Sequence, residues 1–284
     1  MFIKFVRDDL KIFSLGGSYK DSSSWGITKL EGIGTIENDI ATENMATIDG
    51  ADIISERIPA RYIDITTNVK NRSLNAVERR NALAFFNPKH SFKVYITKDG
   101  VTRWIIAKVQ RVQCPENGVS RNVEMNLALI CVDPFFYSAD NYGKNIASVK
   151  ARFAFPYISK INKGFPIGVY NFAKQISIEN TGDAETYATI RIEAKGIVEN
   201  PKIIQNDVYI RLIDQLIDGD VVEIDLVNNT IRKNDKNCIG KVDRQSSFTG
   251  MVLGIGDNTI SFDADNGDTN MNVILYYNLR YLGA

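Results

Sequence analysis

The stretch that decides the fold, residues 61–97, opens with Arg61-Tyr62-Ile63-Asp64-Ile65-Thr66-Thr67-Asn68-Val69. In this segment apolar or β-branched side chains alternate with polar ones. Because successive side chains of a strand point to opposite faces, the alternation predicts a half-buried strand. A second alternating segment closes the stretch. The side chains predicted to face inward are Ile63, Ile65, Thr67 and Val69 in the first segment, and Phe92, Val94 and Ile96 in the second.

Between these two strands the spacing of the apolar residues changes to that of a helix, over residues 73–86. Ser73 or Asn75 is expected to cap its first turn, and Asn87-Pro88 ends it because proline supplies no backbone N–H. No other segment predicts a comparable amphipathic helix, so the fold class is mainly β with one helix on the flank of a sheet. The stripe expected to face the sheet consists of Leu74, Val77, Asn81, Ala84 and Phe85.

The rest of the first half also predicts strands. Residues 2–6, 101–112 and 122–132 alternate, and the last of these has Val123, Met125, Leu127, Leu129 and Cys131 on its inward side. The segment from Thr35 to Ser55 lacks a sustained period and predicts a long loop. Long loops in compact domains usually make a functional contact.

The second half predicts short strands at intervals of about ten to fourteen residues, a pattern typical of a β-sandwich or jelly roll. The alternating segments are Tyr187–Ala194, Val208–Leu212, Val221–Leu226, Thr259–Phe262 and Met271–Tyr277. The turn signals between them are Thr181-Gly182-Asp183, Asp218-Gly219-Asp220, Asn228-Asn229, Gly256-Asp257-Asn258 and Asn266-Gly267.

A basic segment separates the two halves. Residues 141–178 contain Lys144, Lys150, Arg152, Lys160, Lys163 and Lys174 and no acidic residue. Two interpretations stay open: a solvated linker, or a basic arm that lies on an acidic surface of a neighbouring subunit. The expected organisation is a first domain at 1–140, a basic linker or arm at 141–170, and a β-sandwich domain at 171–284.

Composition argues against several classes of protein. Lysine plus arginine equals aspartate plus glutamate at 34 each, so the net charge does not favour nucleic-acid binding or membrane adsorption. The cysteines, Cys114, Cys131 and Cys238, are odd in number and far apart, which indicates a reducing compartment without structural disulfides. Charge interrupts the N-terminus before a signal-peptide core could form, and no apolar run is long enough to insert into a membrane. These features predict a soluble, cytosolic chain.

No group of residues predicts catalysis, a cofactor site or a metal site. His90 is the only histidine, and a catalytic triad or a zinc site needs more than the residues around it supply. Residues 263–268 resemble a calcium loop but lack the closing glutamate, which favours an Asn-Gly turn. Gly32-Ile33-Gly34 lacks the third glycine of a dinucleotide loop. We therefore expect no enzyme.

Carbohydrate binding is the alternative function. Sugar-binding sandwiches stack sugar rings on exposed aromatic side chains, and both tryptophans, Trp25 and Trp104, lie in the first half. The aromatic candidates that remain in the sandwich are Tyr187, Tyr209, Tyr276 and Tyr277. A glycoside hydrolase would need two carboxylates across a cleft, and no such pair stands out.

The order and spacing of several segments resemble the distal tail proteins of long-tailed bacteriophages and of phage-tail-like bacteriocins. In the first half these segments are Asp49-Gly50 leading into Arg61–Ile65, the helix, and a strand pair closing at Asp133-Pro134-Phe135-Phe136. In the second half they are residues 178–183, 196–201, 216–225 and 254–260, and the closing Tyr281-Leu282-Gly283.

The resemblance implies a structural part with no reaction. The first domain would resemble a tail-tube subunit, a β-barrel or split sheet with a flanking helix, and six copies would form a ring that continues the tube. The second domain would be a galectin-like β-sandwich where receptor-binding proteins dock. The implied partners are the chain itself in a homohexamer, the tail tube protein and a tail-associated or spike protein, with genome DNA passing through the channel. The implied location is the tail tip of a particle assembled in the host cytoplasm.

Overall fold

The computed structural model describes residues 1–17, 23–45, 49–115, 123–139, 142–145, 148–151, 168–171 and 175–284. The chain divides into two compact units. The first consists of Met1–Ala139 together with Arg280–Ala284, and the second of Asp140–Leu279. Strands dominate both units, and the described residues contain one α-helix. The predicted fold class, mainly β with a single helix, is confirmed.

Among its described residues, the first unit contains eleven strands and the helix, which is preceded by a short 3₁₀ turn at Arg72–Leu74. Their bounds are β1 (Phe2–Arg7), β2 (Ile12–Gly16), β3 (Trp25–Glu31), β4 (Asp39–Asn44), β5 (Ala51–Arg57), β6 (Arg61–Val69), α1 (Asn75–Phe85), β7 (Ser91–Lys98), β8 (Val101–Gln113), β9 (Glu124–Cys131), β10 (Phe136–Ser138) and β25 (Arg280–Tyr281).

The main sheet of the first unit is antiparallel and open. Its strands follow the order β2-β1-β7-β8-β9-β6-β3, and β10 adds to it by pairing with both β8 and β25. The path does not close into a barrel, and β2 and β3 are its edges. Edge strands present unpaired backbone N–H and C=O groups to whatever lies beside them.

The core of the first unit lies on the sheet face that the sequence predicted. Every predicted inward side chain of β6, β7 and β9 is buried, which confirms those three strands and their faces. An aromatic cluster packs between the sheet and α1, with Phe86 at its centre. Cys131 belongs to this core, and burial raises the pKa of its thiol to about 12, so it stays a neutral apolar side chain.

The buried face of α1 differs from the prediction. Ala82 and Phe85 are buried, whereas Leu74, Val77, Asn81 and Ala84 of the predicted stripe are exposed. Two polar contacts accompany this difference between the predicted and the observed buried face of α1. The Trp25 indole N–H donates to Glu78 at 3.1 Å, and Arg79 donates to the carbonyl of Cys114 at 3.0 Å. Apolar spacing alone did not reveal these polar residues as inward groups.

The predicted caps of the helix are also wrong. Neither Ser73 nor Asn75 caps α1, because its N-cap position is Leu74, which makes no side-chain capping bond. Asn71 instead caps the preceding 3₁₀ turn by accepting from the Ser73 N–H at 3.1 Å. The Asn75 side chain accepts from the Val123 N–H at 3.2 Å and so ties the helix to the start of β9.

The predicted loop from Thr35 to Ser55 contains an antiparallel hairpin, β4 paired with β5. Sequence periodicity detects strands that bury one face and expose the other. All residues of β4 and β5 are exposed, so no alternation marks them, and the loop prediction was wrong for this reason.

In the part of the second unit that the structure describes there are fourteen strands and two short 3₁₀ turns, Ile239–Lys241 and Asp268–Asn270. The strands are β11 (Tyr142–Asn145), β12 (Ser148–Ala151), β13 (Gly168–Asn171), β14 (Gln175–Asn180), β15 (Ala188–Ala194), β16 (Val198–Glu199), β17 (Lys202–Gln205), β18 (Val208–Arg211), β19 (Gln215–Leu216), β20 (Val221–Asp225), β21 (Thr230–Lys233), β22 (Lys236–Asn237), β23 (Gly256–Asp263) and β24 (Met271–Tyr277).

Ten of these strands form the two main sheets of a β-sandwich, and β12–β13 and β16–β19 form two small sheets of two strands each. One sheet follows the order β11-β24-β15-β20-β21-β22, and the other follows β14-β23-β17-β18. Strands β15 and β24 bury every second residue, as the sequence predicted. Most of the basic segment 141–178 lies outside the described residues, and the parts of it that are described form β11, β12, β13 and the start of β14.

One predicted turn of the second unit is wrong. Gly256-Asp257-Asn258 begins β23, where Asp257 and Asn258 pair with Glu179 and Ile178 of β14. Gly256 has a φ of +88°, a conformation that glycine adopts without strain, and the ladder starts at this residue. The predicted Asn266-Gly267 turn is present, with Gly267 in the left-handed region.

Candidate functional site: the exposed hairpin and its base

The β4–β5 hairpin is the least buried regular element of the first unit. An isolated two-stranded hairpin is marginally stable in water, and this one exposes large apolar side chains instead of packing them. About half or more of each of Ile40, Ile53 and Ile54 is exposed, at 51%, 62% and 63%. An apolar hairpin without a protein surface beneath it is typical of an interaction element.

The hairpin is also strongly acidic. Residues 35–58 include six acidic side chains and one basic one, Arg57. Arg57 pairs with Asp39 across the two strands at 3.5 Å. Glu43 lies directly opposite Asp52 in the ladder, and like charges in that position destabilise a hairpin. The hairpin therefore combines apolar surface with negative charge that its own residues do not neutralise.

Arg61 fixes the base of the hairpin. It is buried at the start of β6 and donates to four backbone carbonyls rather than to a carboxylate. Two of them, Gly32 and Thr35, lie just before the hairpin, and both distances are 2.7 Å. The others are Pro134 at 2.7 Å and Leu282 at 2.6 Å. Burial lowers the pKa of the Arg61 guanidinium, but arginine stays protonated in proteins.

The C-terminal residues complete this base. The Ala284 N–H donates to the carbonyl of Ile33 at 3.1 Å, and Arg103 donates to the carbonyl of Gly283. The guanidinium of Arg280 lies 3.9 Å from the centre of the Phe135 ring. Ala284 and the Arg61 side chain thus hydrogen-bond to the same short segment, residues 32–35. Because this segment leads directly into the hairpin, the hairpin starts from a fixed base.

Gly32 is needed at this base for a steric reason. Its φ is +86°, and a Cβ there would lie 1.9 Å from the carbonyl oxygen of Tyr62. We expect Gly32→Ala to lower the free energy of unfolding of the first unit by about 2 kcal/mol, because both the backbone conformation and the contact become strained. Urea denaturation followed by tryptophan fluorescence measures this.

Gly34→Ala is the matched control for that substitution. It lies two residues away, and a Cβ there would meet nothing within 4 Å. Equal stability losses in the two variants would show that Gly32 is not a steric requirement of the hairpin base.

Sequence reasoning missed Arg61, although a signal was present. In the alternating segment 61–69, Arg61 occupies the same register as Ile63 and Ile65, which are buried. An arginine in the inward register of a strand must find acceptors within the protein, because a buried charge without partners is costly. The contacts of residues 282–284 carry no such signal, since they are made through two backbone carbonyls and one backbone N–H.

The structure gives local structural partners to the residues considered for chemistry. His90 Nδ1 lies 2.6 Å from Asp8 Oδ1 on the surface. In the loop at 263–268, Asp265 accepts from Asn200 at 2.7 Å and from Arg211. These hydrogen bonds lower the pKa of the Asp265 carboxyl, the bond from Asn200 most. Among the described residues, no group of three or more His, Cys, Asp or Glu side chains could hold a metal ion.

The four tyrosines considered for sugar stacking are not presented together as open rings. Tyr277 is buried, so it cannot stack on a ligand and that candidate was wrong. The ring of Tyr209 is covered by Lys202, whose Nζ lies 4.0 Å from its centre. Tyr187 is half-buried, and Tyr276 is the most exposed of the four.

Within the described part of the chain, no helix has the length and apolar character needed to cross a bilayer.

Comparison with known proteins agrees with this architecture. Residues 181–281 match the family model described as siphovirus-type tail component, C-terminal domain. The chain is similar in structure to SPP1 Dit, described as a paradigm of the hub adsorption apparatus of phages that infect Gram-positive bacteria. The TM-score is 0.69 at 13% identity, over 99% of both chains.

Two structures of the phage P2 baseplate in its activated conformation are also similar. With Ca the TM-score is 0.55 over 100% of both chains, and with Sr it is 0.53 over 100% of this chain and 99% of the other, each at 10% identity. No curated protein sequence is detectably similar. Residues 181–281 thus match the C-terminal domain of siphovirus-type tail components and the whole chain has the fold of a Dit protein, in agreement with the predicted resemblance to distal tail proteins.

Proposed function

We propose that this chain is a non-enzymatic hub protein of a phage tail, or of a phage-tail-like particle, that assembles into a ring of six copies. The observation that carries the proposal is the β4–β5 hairpin, which exposes isoleucines and unneutralised acids on a fixed base. The fold of a Dit protein supports a place at the tail tip. The open edges β2 and β3 support association of the sheet with neighbouring copies.

In this proposal the two parts of the chain have different tasks. Residues 1–140 form the ring and contact the tail tube protein on one side and a tail-associated or spike protein on the other. The sandwich, which starts near residue 171 and ends before the return of the chain to the first unit at Arg280, is offered to receptor-binding proteins. Residues 141–170 serve as a basic linker or arm whose charge suits an acidic surface of a neighbour. Genome DNA passes through the central channel without sequence-specific contacts.

Cyclic closure is the physical reason for a ring. Each copy carries an exposed hairpin and an open sheet that ends at β2 and β3, and a contact between two such different surfaces is head-to-tail. A head-to-tail contact makes a ring when its rotation closes, and closure satisfies every edge without growth of a filament. Assembly in the host cytoplasm then requires no further factor to limit the number of copies.

We expect the purified chain to sediment as a species of six times its 31.8 kDa mass at high concentration, or on addition of the tail tube protein. Analytical ultracentrifugation measures the mass, and negative-stain imaging shows whether the particle has an axial pore. A chain that stays monomeric at high concentration, with and without the tube protein, would refute the ring.

A further inference from the structure

The outward side of α1 exposes apolar side chains that no described residue buries. Leu74, Val77 and Leu83 are 38%, 57% and 40% exposed. Together with Arg80 they are spaced three residues apart, so they form one ridge along the helix. Arg80 is exposed and forms no ion pair with any residue that the structure describes. We call this ridge the outer ridge of α1.

The charges around this ridge are opposite to those of the hairpin. Residues 70–89 contain five basic side chains and one acidic one, whereas residues 35–58 contain six acidic side chains and one basic one. Both segments also expose apolar side chains. Complementary charge over apolar surface favours one specific pairing and suppresses others.

The hairpin has a particular place for an arginine. Glu43 and Asp52 oppose each other across the ladder, and neither forms an ion pair with a described residue. A guanidinium from outside the hairpin could donate to both carboxylates, because its donors are arranged in a planar fork. Arg80 is a suitable donor because the outer ridge places it between Val77 and Leu83.

We propose that the hairpin of one copy docks on the outer ridge of α1 of the next copy, with Arg80 between Glu43 and Asp52 and Ile54, which lies at the register shift of β5, against Val77. This inference rests on the proposed ring and names the two surfaces that join its copies. The contact is head-to-tail, so each copy gives its hairpin to one neighbour and receives the hairpin of the other.

Cysteine crosslinking tests the pairing directly. In a Cys238→Ser background, where the remaining native cysteines are buried, the pair Ile54→Cys and Val77→Cys should yield, on mild oxidation, a covalent ladder that ends at six chains. Either cysteine alone should give dimers at most, because one cysteine per copy cannot link a copy to two neighbours. Ile54→Cys with Val132→Cys is the matched control, since Val132 is 78% exposed in the same unit, and it should give no ladder.

Charge reversal tests the contact between Arg80 and the two acids. Arg80→Glu, and separately Glu43→Lys with Asp52→Lys, should each weaken association by about tenfold or more, and the triple variant should recover most of this loss. Arg232→Glu, an exposed change in β21, should leave association unchanged. A triple variant as weak as its parents would overturn the role of Arg80.

The outcomes separate this inference from the proposed function. A ring of six copies that gives no ladder with Ile54→Cys and Val77→Cys would overturn the hairpin contact and leave the hub function in place. The absence of any oligomer under all conditions would overturn both. A ladder to six together with charge rescue supports both.

Discussion

Replacement of Arg61 by methionine is expected to lower the free energy of unfolding of the first unit by about 4 kcal/mol. The Arg61 side chain donates to the carbonyls of Gly32, Thr35, Pro134 and Leu282. Methionine keeps the apolar stem but leaves these acceptors without a donor. Losing a hydrogen bond to a charged group costs about 1.5–3 kcal/mol, and water replaces part of the loss at the rim of the site.

Urea denaturation followed by tryptophan fluorescence measures this effect in the right part of the chain. Both tryptophans, Trp25 and Trp104, lie in the first unit, so their signal reports on that unit alone. Arg57→Met is the matched control, because Arg57 is exposed on the hairpin and should change stability by less than about 0.5 kcal/mol. Equal urea midpoints for the two variants would show that the hydrogen bonds from Arg61 to the four carbonyls do not stabilise the first unit.

A loss of similar size is expected for Phe86→Ala. Phe86 is fully buried, and its ring centre lies 5.1 Å from those of Phe5 and Phe13 and 5.0 Å from that of Phe85. Removing a buried phenylalanine costs about 3–5 kcal/mol, through lost transfer free energy and the cavity that remains. The loss should appear in tryptophan fluorescence, since Phe13 also packs near Trp25 at a centroid distance of 6.5 Å.

Phe86→Leu separates packing from aromatic character. Leucine fills most of the space, so we expect a loss of about 1–2 kcal/mol, part of it from edge-to-face contacts between rings. If alanine and leucine variants were equally stable, the aromatic cluster would not hold α1 on the sheet.

The strands of the core could be predicted because each buries one face. Ile63 and Ile65 in β6, and Phe92 and Val94 in β7, repeat every second residue, and this period leaves a direct mark on the sequence. The same reasoning located most of the sandwich strands, including β15 and β24. The family followed from the order of these elements, although each motif by itself is ordinary turn chemistry.

Other features left no such mark. The rotation of α1 depends on Glu78 and Arg79, which turn inward to hydrogen-bond partners that are distant in sequence. The hairpin is exposed on both faces and so does not alternate. The outward position of Val77 could not be predicted from the helix sequence alone. An apolar ridge that is exposed and one that packs on the core can have the same composition.

The return of the chain to the first unit has a topological consequence. The second unit is an insertion between β10 and β25, which are paired neighbours, with Tyr137 opposite Arg280. The two chain connections to the second unit therefore leave the first unit next to each other, at the same end of the β10–β25 pair. A protease that cuts one crossing leaves the insertion attached through the other, so two separate cleavages are needed to release it.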